Sequence, residues 1–417
     1  MSVVKQQLTR RSFLKGLAAA SAFPMVIPAT ALGGEGRAAP SNRLAVGAIG
    51  MGGRGTSDMR SFLGSSETQI VAVCDVVQSH RENAKGFVDQ HYGNKDCLAL
   101  SNFREIIPRP DIDVVMIGTP DHWHALIAIE AMRHGKDVFC EKPETLTVRE
   151  GRQMVETARR YARVFSGGSQ RVWEDYNWFH KMVRGGAIGE VQEVFVDCGG
   201  PSSECFLPPA PVPAGLDWEM WLGPAPWAPF NPGRLNFRPW RDYSGGGMTD
   251  WGAHNFGGAL FSCNLHETGP VEVIPPDGKD YPLLTYKFAN GVVFHHRGGW
   301  GGNLSFKGTE GEIPVRAGGR QPRRRGGARG NDAPSIFIPN YKGRGGLIGD
   351  FLHCVRTREK PFRDIEVAHR TVTVCHLGNL AYRLGRPFKW DPVKEEIVGD
   401  PEAARWLDRP KRAPWTL

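Results

Sequence analysis

Beyond position 40 the 417-residue sequence has no apolar run of the roughly eighteen residues needed to cross a bilayer as a helix. It also has no C-x-x-C pair. Cys74 and Cys140 fall within or at the ends of apolar, strand-like runs, so the eight cysteines read as buried free thiols. Cys198 and Cys205 form the one close pair that invites a disulfide. A basic body is missing too, although the formal net charge is +8. Residues 1–39 carry five basic side chains against Glu35, residues 316–330 carry six arginines and no acid, and the remainder is net negative by two. A near-neutral body with two basic appendages lacks the face that nucleic-acid binding requires. Gly (52) and Pro (31) make about a fifth of the chain, loop-rich but far from a collagen-like polymer. At 40% hydrophobic and 10% aromatic residues the chain can bury a sizeable core, which excludes global disorder, and its length suits two or three domains.

The basic N-terminus reads as an address. Thr9-Arg10-Arg11-Ser12-Phe13-Leu14-Lys15 has the pattern of a twin-arginine export signal, followed by an apolar stretch from Gly16 to Leu32. Ala29-Thr30-Ala31 offers a cleavage site and Ala38-Ala39 a later one. Residues 1–39 are therefore expected to be removed from a periplasmic or otherwise extracytoplasmic protein, with residues 40–165, 166–392 and 393–417 as its two domains and tail.

From Arg43 to Pro143 strand and helix alternate, which implies a doubly wound parallel sheet. The spacing predicts strands over 43–50, 68–74, 113–118 and 136–140, with a helix over 122–134. The first strand runs into Gly50-Met51-Gly52-Gly53-Arg54-Gly55, and Asp75 stands at the end of the second. This is the dinucleotide fingerprint: one glycine for the tight turn, one for close approach of pyrophosphate, amides of a helix N-terminus as donors. A carboxylate at Asp75 suits a ribose hydroxyl and repels a 2′-phosphate, favouring NAD over NADP. Thr119-Pro120-Asp121-His122-Trp123-His124 forms a loop at the carboxyl end of the sheet, expected over the nicotinamide, with Asp121 as helix N-cap. His-x-His can also share a metal ion, but no acid or Cys constellation of matching spacing accompanies it.

Cys140-Glu141-Lys142-Pro143 ends the next strand in the crevice where such sheets bind ligands. The fingerprint, the T-P-D-H loop and above all Glu141-Lys142-Pro143 resemble the glucose–fructose oxidoreductase / inositol dehydrogenase (Gfo/Idh/MocA) superfamily, from about Arg43 to Pro392. The resemblance implies a Rossmann domain followed by an α+β domain with an open, mostly antiparallel sheet and helices on one face. It implies that Gly50, Gly52, Gly53, Arg54, Gly55, Asp75, Thr119, Pro120, His122, His124, Glu141 and Lys142 hold the cofactor, and that no metal is needed.

Past Val164 short strands and Pro/Gly loops dominate. A helix is predicted over 178–185, a strand over 189–198, a hairpin around Asn290-Gly291 and two helices within 349–382. Asp250 and His254 stand four apart, so on a helix they would meet and the acid would orient the imidazole as a general base. By resemblance Lys142, Asp250 and His254 match the catalytic group, with Lys142 on the reacting hydroxyl and His254 taking its proton. Many relatives have Asp three residues after the His, and this chain has Gly257, which leaves substrate choice open. Trp123, Trp173, Trp240 and Trp251 could stack on a sugar ring, though each could equally be core. Residues 316–330 read as a flexible, solvated loop.

The chemistry expected is hydride transfer to a sugar, polyol or derivative with tightly held NAD, because an exported enzyme has no free pool to draw on. The alternative is an NAD-dependent glycosidase that oxidises a hydroxyl, eliminates the substituent, adds water and reduces the ketone. Further from these stand a metal hydrolase using His122, His124 and His254 and a non-catalytic sugar-binding protein. A homo-oligomer built on the open sheet is expected.

Overall fold

A computed structural model describes residues 42–299, 303–314 and 336–417. The expected export signal and the arginine-rich stretch 316–330 lie outside the described residues. Short apolar runs build the first sheet: β1 Leu44–Ile49, β2 Thr68–Cys74, β3 Leu98–Leu100, β4 Val114–Ile117, β5 Asp137–Cys140 and β6 Phe165–Gly167. All its pairings are parallel, in the order β3-β2-β1-β4-β5-β6. Such strands are covered on both faces, which is why LAVGAI and VVMI are continuous rather than alternating. Helices Gly53–Leu63, Gln78–Tyr92 and Gly346–Thr357 pack on one face, and Asp121–Arg133 and Val148–Arg160 on the other. The order reverses between β1 and β4, which opens a crevice at their carboxyl ends.

The second sheet contains β7 Val191–Asp197, β8 Glu272–Ile274, β9 Leu284–Lys287, β10 Val293–Arg297, β11 Leu304–Gly308, β12 Glu312–Ile313, β13 Phe388–Asp391 and β14 Glu396–Val398. Its order is β12-β11-β7-β10-β9-β8-β13-β14; β7 and β10 run parallel and the other pairs antiparallel. The hairpin expected at Asn290-Gly291 joins β9 to β10, with Gly291 at φ 89°. Alternation along β7 and β10 turns Val194, Val196 and Phe294 inward onto helices Gly252–Ser262 and Ile365–Leu384, through Phe256, Leu260, Val374 and Leu377. Glu193, Phe195, His295 and Arg297 are left on the other face.

The two helices expected within 349–382 are Gly346–Thr357 and Ile365–Leu384, and only the second stays with the large sheet. The first returns to the dinucleotide sheet, where Phe351 packs edge-on against Phe62 and Phe139. The tail returns as well: Trp415 sits 4.7 Å from Trp123, ring centre to ring centre. All eight cysteines are free, Cys198 and Cys205 included. Among the described residues no helix is long and apolar enough to cross a membrane.

Candidate active site

The Gly-rich turn separates glycines needed for packing from glycines that leave space. Gly50 has φ 85°, and a Cβ there would stand 2.5 Å from the Thr119 amide nitrogen. A Cβ on Gly55 would lie 1.8 Å from the Gly50 carbonyl oxygen, so helix Gly53–Leu63 can press on β1 only without a side chain there. At Gly52 and Gly53 a Cβ would meet nothing within 4 Å. The helix has no side-chain cap and no acid in its first turn, leaving its first amides and positive dipole end for an anionic ligand.

These residues line a cleft of about 330 Å³ that runs from Asp75 past Thr119 and Pro120 to Glu141 and Lys142. Asp75 accepts from the Met51 amide at 2.6 Å and the Val77 amide at 2.8 Å, and His80 Nδ1 lies 3.5 Å from its Oδ2. Oδ1, with the Val77 amide as its donor, keeps a lone pair for a ribose hydroxyl. Thr119 Oγ1 and Asp121 Oδ2 on the same wall are buried without a hydrogen-bond partner. An open cradle over Gly52 and Gly53, uncapped amides and unpaired polar atoms fit a dinucleotide.

Gly55, His122 and His124 lie behind this wall rather than on it. His124 spans the Pro143 carbonyl at 2.7 Å and the Thr119 carbonyl at 2.8 Å, bracing the Glu-Lys-Pro turn against the T-P-D-H loop. His122 Nε2 and Trp123 Nε1 both face the Trp221 carbonyl at 3.0 Å. Burial lowers the pKa of His124 and pushes that of His122 down to about 4, so His122 is neutral at pH 7. Arg54 bridges Glu141 and Asp58 at 2.9 Å each, holding the first turn of the helix to the Glu-Lys-Pro turn.

The far wall comes from residues that sequence reasoning passed over: Met220, Trp221, Leu235, Phe237 and Arg238. They belong to a segment with its own aromatic cluster, in which Trp218 stacks on Trp221 and Tyr243 meets Trp221 edge-on. The density of tryptophan between 218 and 240 was the available signal. Trp240 donates to the Gly233 carbonyl at 2.9 Å within that segment, and Trp123 is buried in the wall of the cleft. Trp173 packs on His180, Tyr341 and Phe362. Trp251 is half-buried beside His254, under the Arg171 guanidinium at 5.0 Å.

Lys142, Asp250 and His254 come together, but not in the pairing that their spacing predicts. Asp250 Oδ1 takes Lys142 Nζ at 2.5 Å and Arg238 Nε at 3.1 Å. The expected Asp250–His254 pair is corrected by the backbone. Asp250 ends one short helix, Gly247–Asp250, and His254 belongs to the next, Gly252–Ser262. The His254 amide donates to the Trp251 carbonyl, and the Asp250 carbonyl accepts from Lys142 Nζ at 3.2 Å. Against the upward pull of burial, Lys142 and Arg238 hold Asp250 below the usual carboxylate range. Burial first, then Lys142, Arg171, Arg363 and Arg54, hold His254 well below 6.5, and its Nδ1 is buried without a partner. A neutral imidazole with a free nitrogen can accept a proton. An ammonium beside it can stabilise the alkoxide that the proton leaves behind.

Gly257 is a packing position here. A Cβ there would stand 2.8 Å from Val172 Cγ2 and 3.3 Å from Thr371 Cγ2, leaving no room for a carboxylate. The neighbouring Arg363 is completely buried, with Nε and Nη1 unpartnered. Glu144, also completely buried, is lifted by its burial to about 7.

A family model described as "Oxidoreductase family, NAD-binding Rossmann fold" matches residues 44–169, and its companion, "Oxidoreductase family, C-terminal alpha/beta domain", matches residues 201–283 and 338–417. A glycosyl hydrolase family 109 protein of Shewanella baltica is 35% identical over 155 residues, 35% of this chain and 33% of the relative. The match thus spans about a third of that relative's length. Among solved structures, myo-inositol 2-dehydrogenase from Lactobacillus plantarum superposes with a TM-score of 0.59 at 19% identity, covering 83% of this chain and 99% of that one. Aldose-aldose oxidoreductase from Caulobacter crescentus does so with a TM-score of 0.56 at 20% identity and the same coverage. With both of its parts matched in order, the chain belongs to the Gfo/Idh/MocA oxidoreductase family, and its first part is an NAD-binding Rossmann fold.

Proposed function

We propose that the protein is an NAD-dependent oxidoreductase acting on a hydroxyl of a sugar, polyol or sugar derivative. The observation that carries this reading is the Lys142–Asp250 ion pair: its lysine lines the end of the dinucleotide cleft, Asp250 stands behind that lysine, and its charge acts on the buried His254. Gly52, Gly53 and the first amides of helix Gly53–Leu63 would hold pyrophosphate, and Asp75 the adenosine ribose. Bound there, the nicotinamide supplies a hydride acceptor for the carbon that bears the hydroxyl. Lys142 donates a hydrogen bond to that hydroxyl oxygen, His254 takes its proton, and Asp250 fixes Lys142. Trp221 and Phe237 narrow the cleft against water.

A second reading, redox-neutral glycoside hydrolysis, is favoured by the 35% identical stretch shared with a glycosyl hydrolase family 109 protein. It keeps Lys142 and His254 in the same roles and adds elimination and water addition on the sugar. The metal-hydrolase reading gains no support, because His124 turns both ring nitrogens and His122 its Nε2 to backbone carbonyls. Export by the twin-arginine route and assembly through the outer face of the large sheet belong to the same proposal. On that face Phe195 stacks on His295 at 5.0 Å between Arg297 and Lys307.

The test is nucleotide release: protein purified from the cytoplasm and denatured should give up NAD(H). NADP in its place, or no nucleotide and no binding of added NAD, would overturn the reading.

A further inference from the structure

On a different side of the T-P-D-H loop from the cleft, and sharing none of its lining, three guanidinium groups converge. Arg241, Arg383 and Arg409 line a pocket of about 50 Å³ together with Ser202, Asn379 and Trp406. The pocket opens into a groove of about 530 Å³, and Thr147, Arg241, Trp406 and Arg409 line both. Trp406 holds the cations in place: Arg383 lies 4.8 Å and Arg241 5.9 Å from its ring centre.

Among the described residues the cations of this pocket are only partly paired, the acids Asp242, Glu402 and Asp408 lying along the groove instead. Among the described residues no carboxylate lies within 4 Å of Arg409, whose Nη1 donates to the Arg241 carbonyl. Burial and the neighbouring Arg241 and Arg383 draw Arg409 down to about 10, although Glu150 and Asp242 pull the other way. Glu150 pairs instead with Lys411 at 3.2 Å and accepts from the Leu146 and Thr147 amides. Among the described residues Glu204 is the one carboxylate in contact, 2.8 Å from Arg241 and 3.8 Å from Arg383, and its side chain is 47% exposed. Asn379 Oδ1 is buried without a partner, while its Nδ2 donates to the Gly245 carbonyl at 2.8 Å. Three forks of N–H donors on one small space, with one exposed acid among them, match the oxygens of a tetrahedral anion.

We propose that Arg241, Arg383 and Arg409 form a second ligand site, for a sulfate or phosphate group, separate from the dinucleotide cleft. The group would sit in the small pocket. Anything attached to it would lie along the groove, against Trp406 and Pro224–Pro226.

The test is calorimetric titration of the full chain with sodium sulfate and sodium phosphate at fixed ionic strength, with saturating NAD present so that the Gly-rich turn does not compete. Saturable binding is expected. Arg383→Gln, whose side chain is largely outside the core, and Arg409→Gln should each weaken it at least tenfold, and Glu204→Gln should tighten it. Glucose 6-sulfate and glucose 6-phosphate separate the sources. Binding at least tenfold tighter than the inorganic ion identifies a sugar ester using the groove, and equal binding identifies the free ion. Heat that does not saturate, an effect that sodium chloride reproduces, or undiminished binding in both arginine variants would overturn the site.

Discussion

Lys142 Nζ stands 2.5 Å from Asp250 Oδ1, so the acid that sequence spacing gives to His254 is held by the lysine. After burial, Lys142 is the largest influence keeping His254 unprotonated. Replacing the ammonium by a neutral side chain removes a like charge and raises the pKa of the imidazole. Lys142→Met should therefore move the His254 titration, followed by NMR of the ring protons, to higher pH. An unchanged titration would mean that Lys142 does not face His254 in solution.

Arg152 pairs with Glu366 at 2.9 Å and with Glu395 at 2.7 Å, and Glu395 also accepts from His369 at 2.8 Å. Burial alone would raise both acids, but Arg152 and Arg370 bring Glu366 from 4.5 to about 2. A carboxylate with a depressed folded pKa adds stability above its unfolded pKa, and that stability is lost as pH falls, here from 4.5 towards 2. Arg152→Ala should cost about 2 kcal/mol at neutral pH, less than for a fully buried pair because the arginine is partly exposed. Chemical denaturation at pH 7 and pH 3 checks this: the difference between variant and parent should shrink at pH 3. A constant difference would show that Arg152 acts through packing.

The two kinds of glycine in the first turn should separate stability from binding. Gly50→Ala places a Cβ 2.5 Å from the Thr119 amide at φ 85° and should destabilise by about 1–3 kcal/mol. Gly52→Ala enters open space in the cleft, so the nucleotide-free protein should keep its unfolding midpoint while NAD affinity falls at least tenfold. Scanning and titration calorimetry give both numbers. Unimpaired NAD binding in Gly52→Ala would move the pyrophosphate elsewhere.

Trp415, two residues before Leu417, is 7% exposed and packs on Trp123 and Phe103, which line the cleft. Trp415→Ala should cost about 3–5 kcal/mol and weaken NAD binding through the loosened wall. Thermal unfolding with and without NAD checks both effects. A loss of stability with unchanged NAD affinity would confine the tail to a structural role.

The Rossmann half was legible because each of its signals is local. Apolar runs mark doubly covered strands, Gly50 marks the turn, and Asp75 and Lys142 follow strand ends at the switch point. Lys142, Asp250 and His254 were legible as a set, but their pairing was not. Spacing assumes an unbroken helix, and the chain changes helix between Asp250 and Gly252. The returns of Gly346–Thr357 and Trp415 to the first sheet and the wall of Met220, Trp221 and Phe237 are long-range contacts that no periodicity records. His122 and His124 read as cofactor contacts because their spacing is visible and the carbonyls they brace are not.

Isotope transfer shows whether Lys142 and His254 act on a sugar hydroxyl beside bound NAD. Candidate sugars and glycosides, deuterated at each hydroxyl-bearing carbon in turn, are incubated with the purified protein, and the nucleotide and products are examined by mass spectrometry. Deuterium from one carbon should pass to the nucleotide. It should then appear in a second substrate if the reaction is net redox, or return to the sugar if a glycoside is hydrolysed. Lys142→Ala and His254→Ala should each slow the transfer by about two to four orders of magnitude. Label that never reaches the nucleotide while product forms, or full transfer in both variants, would contradict the account.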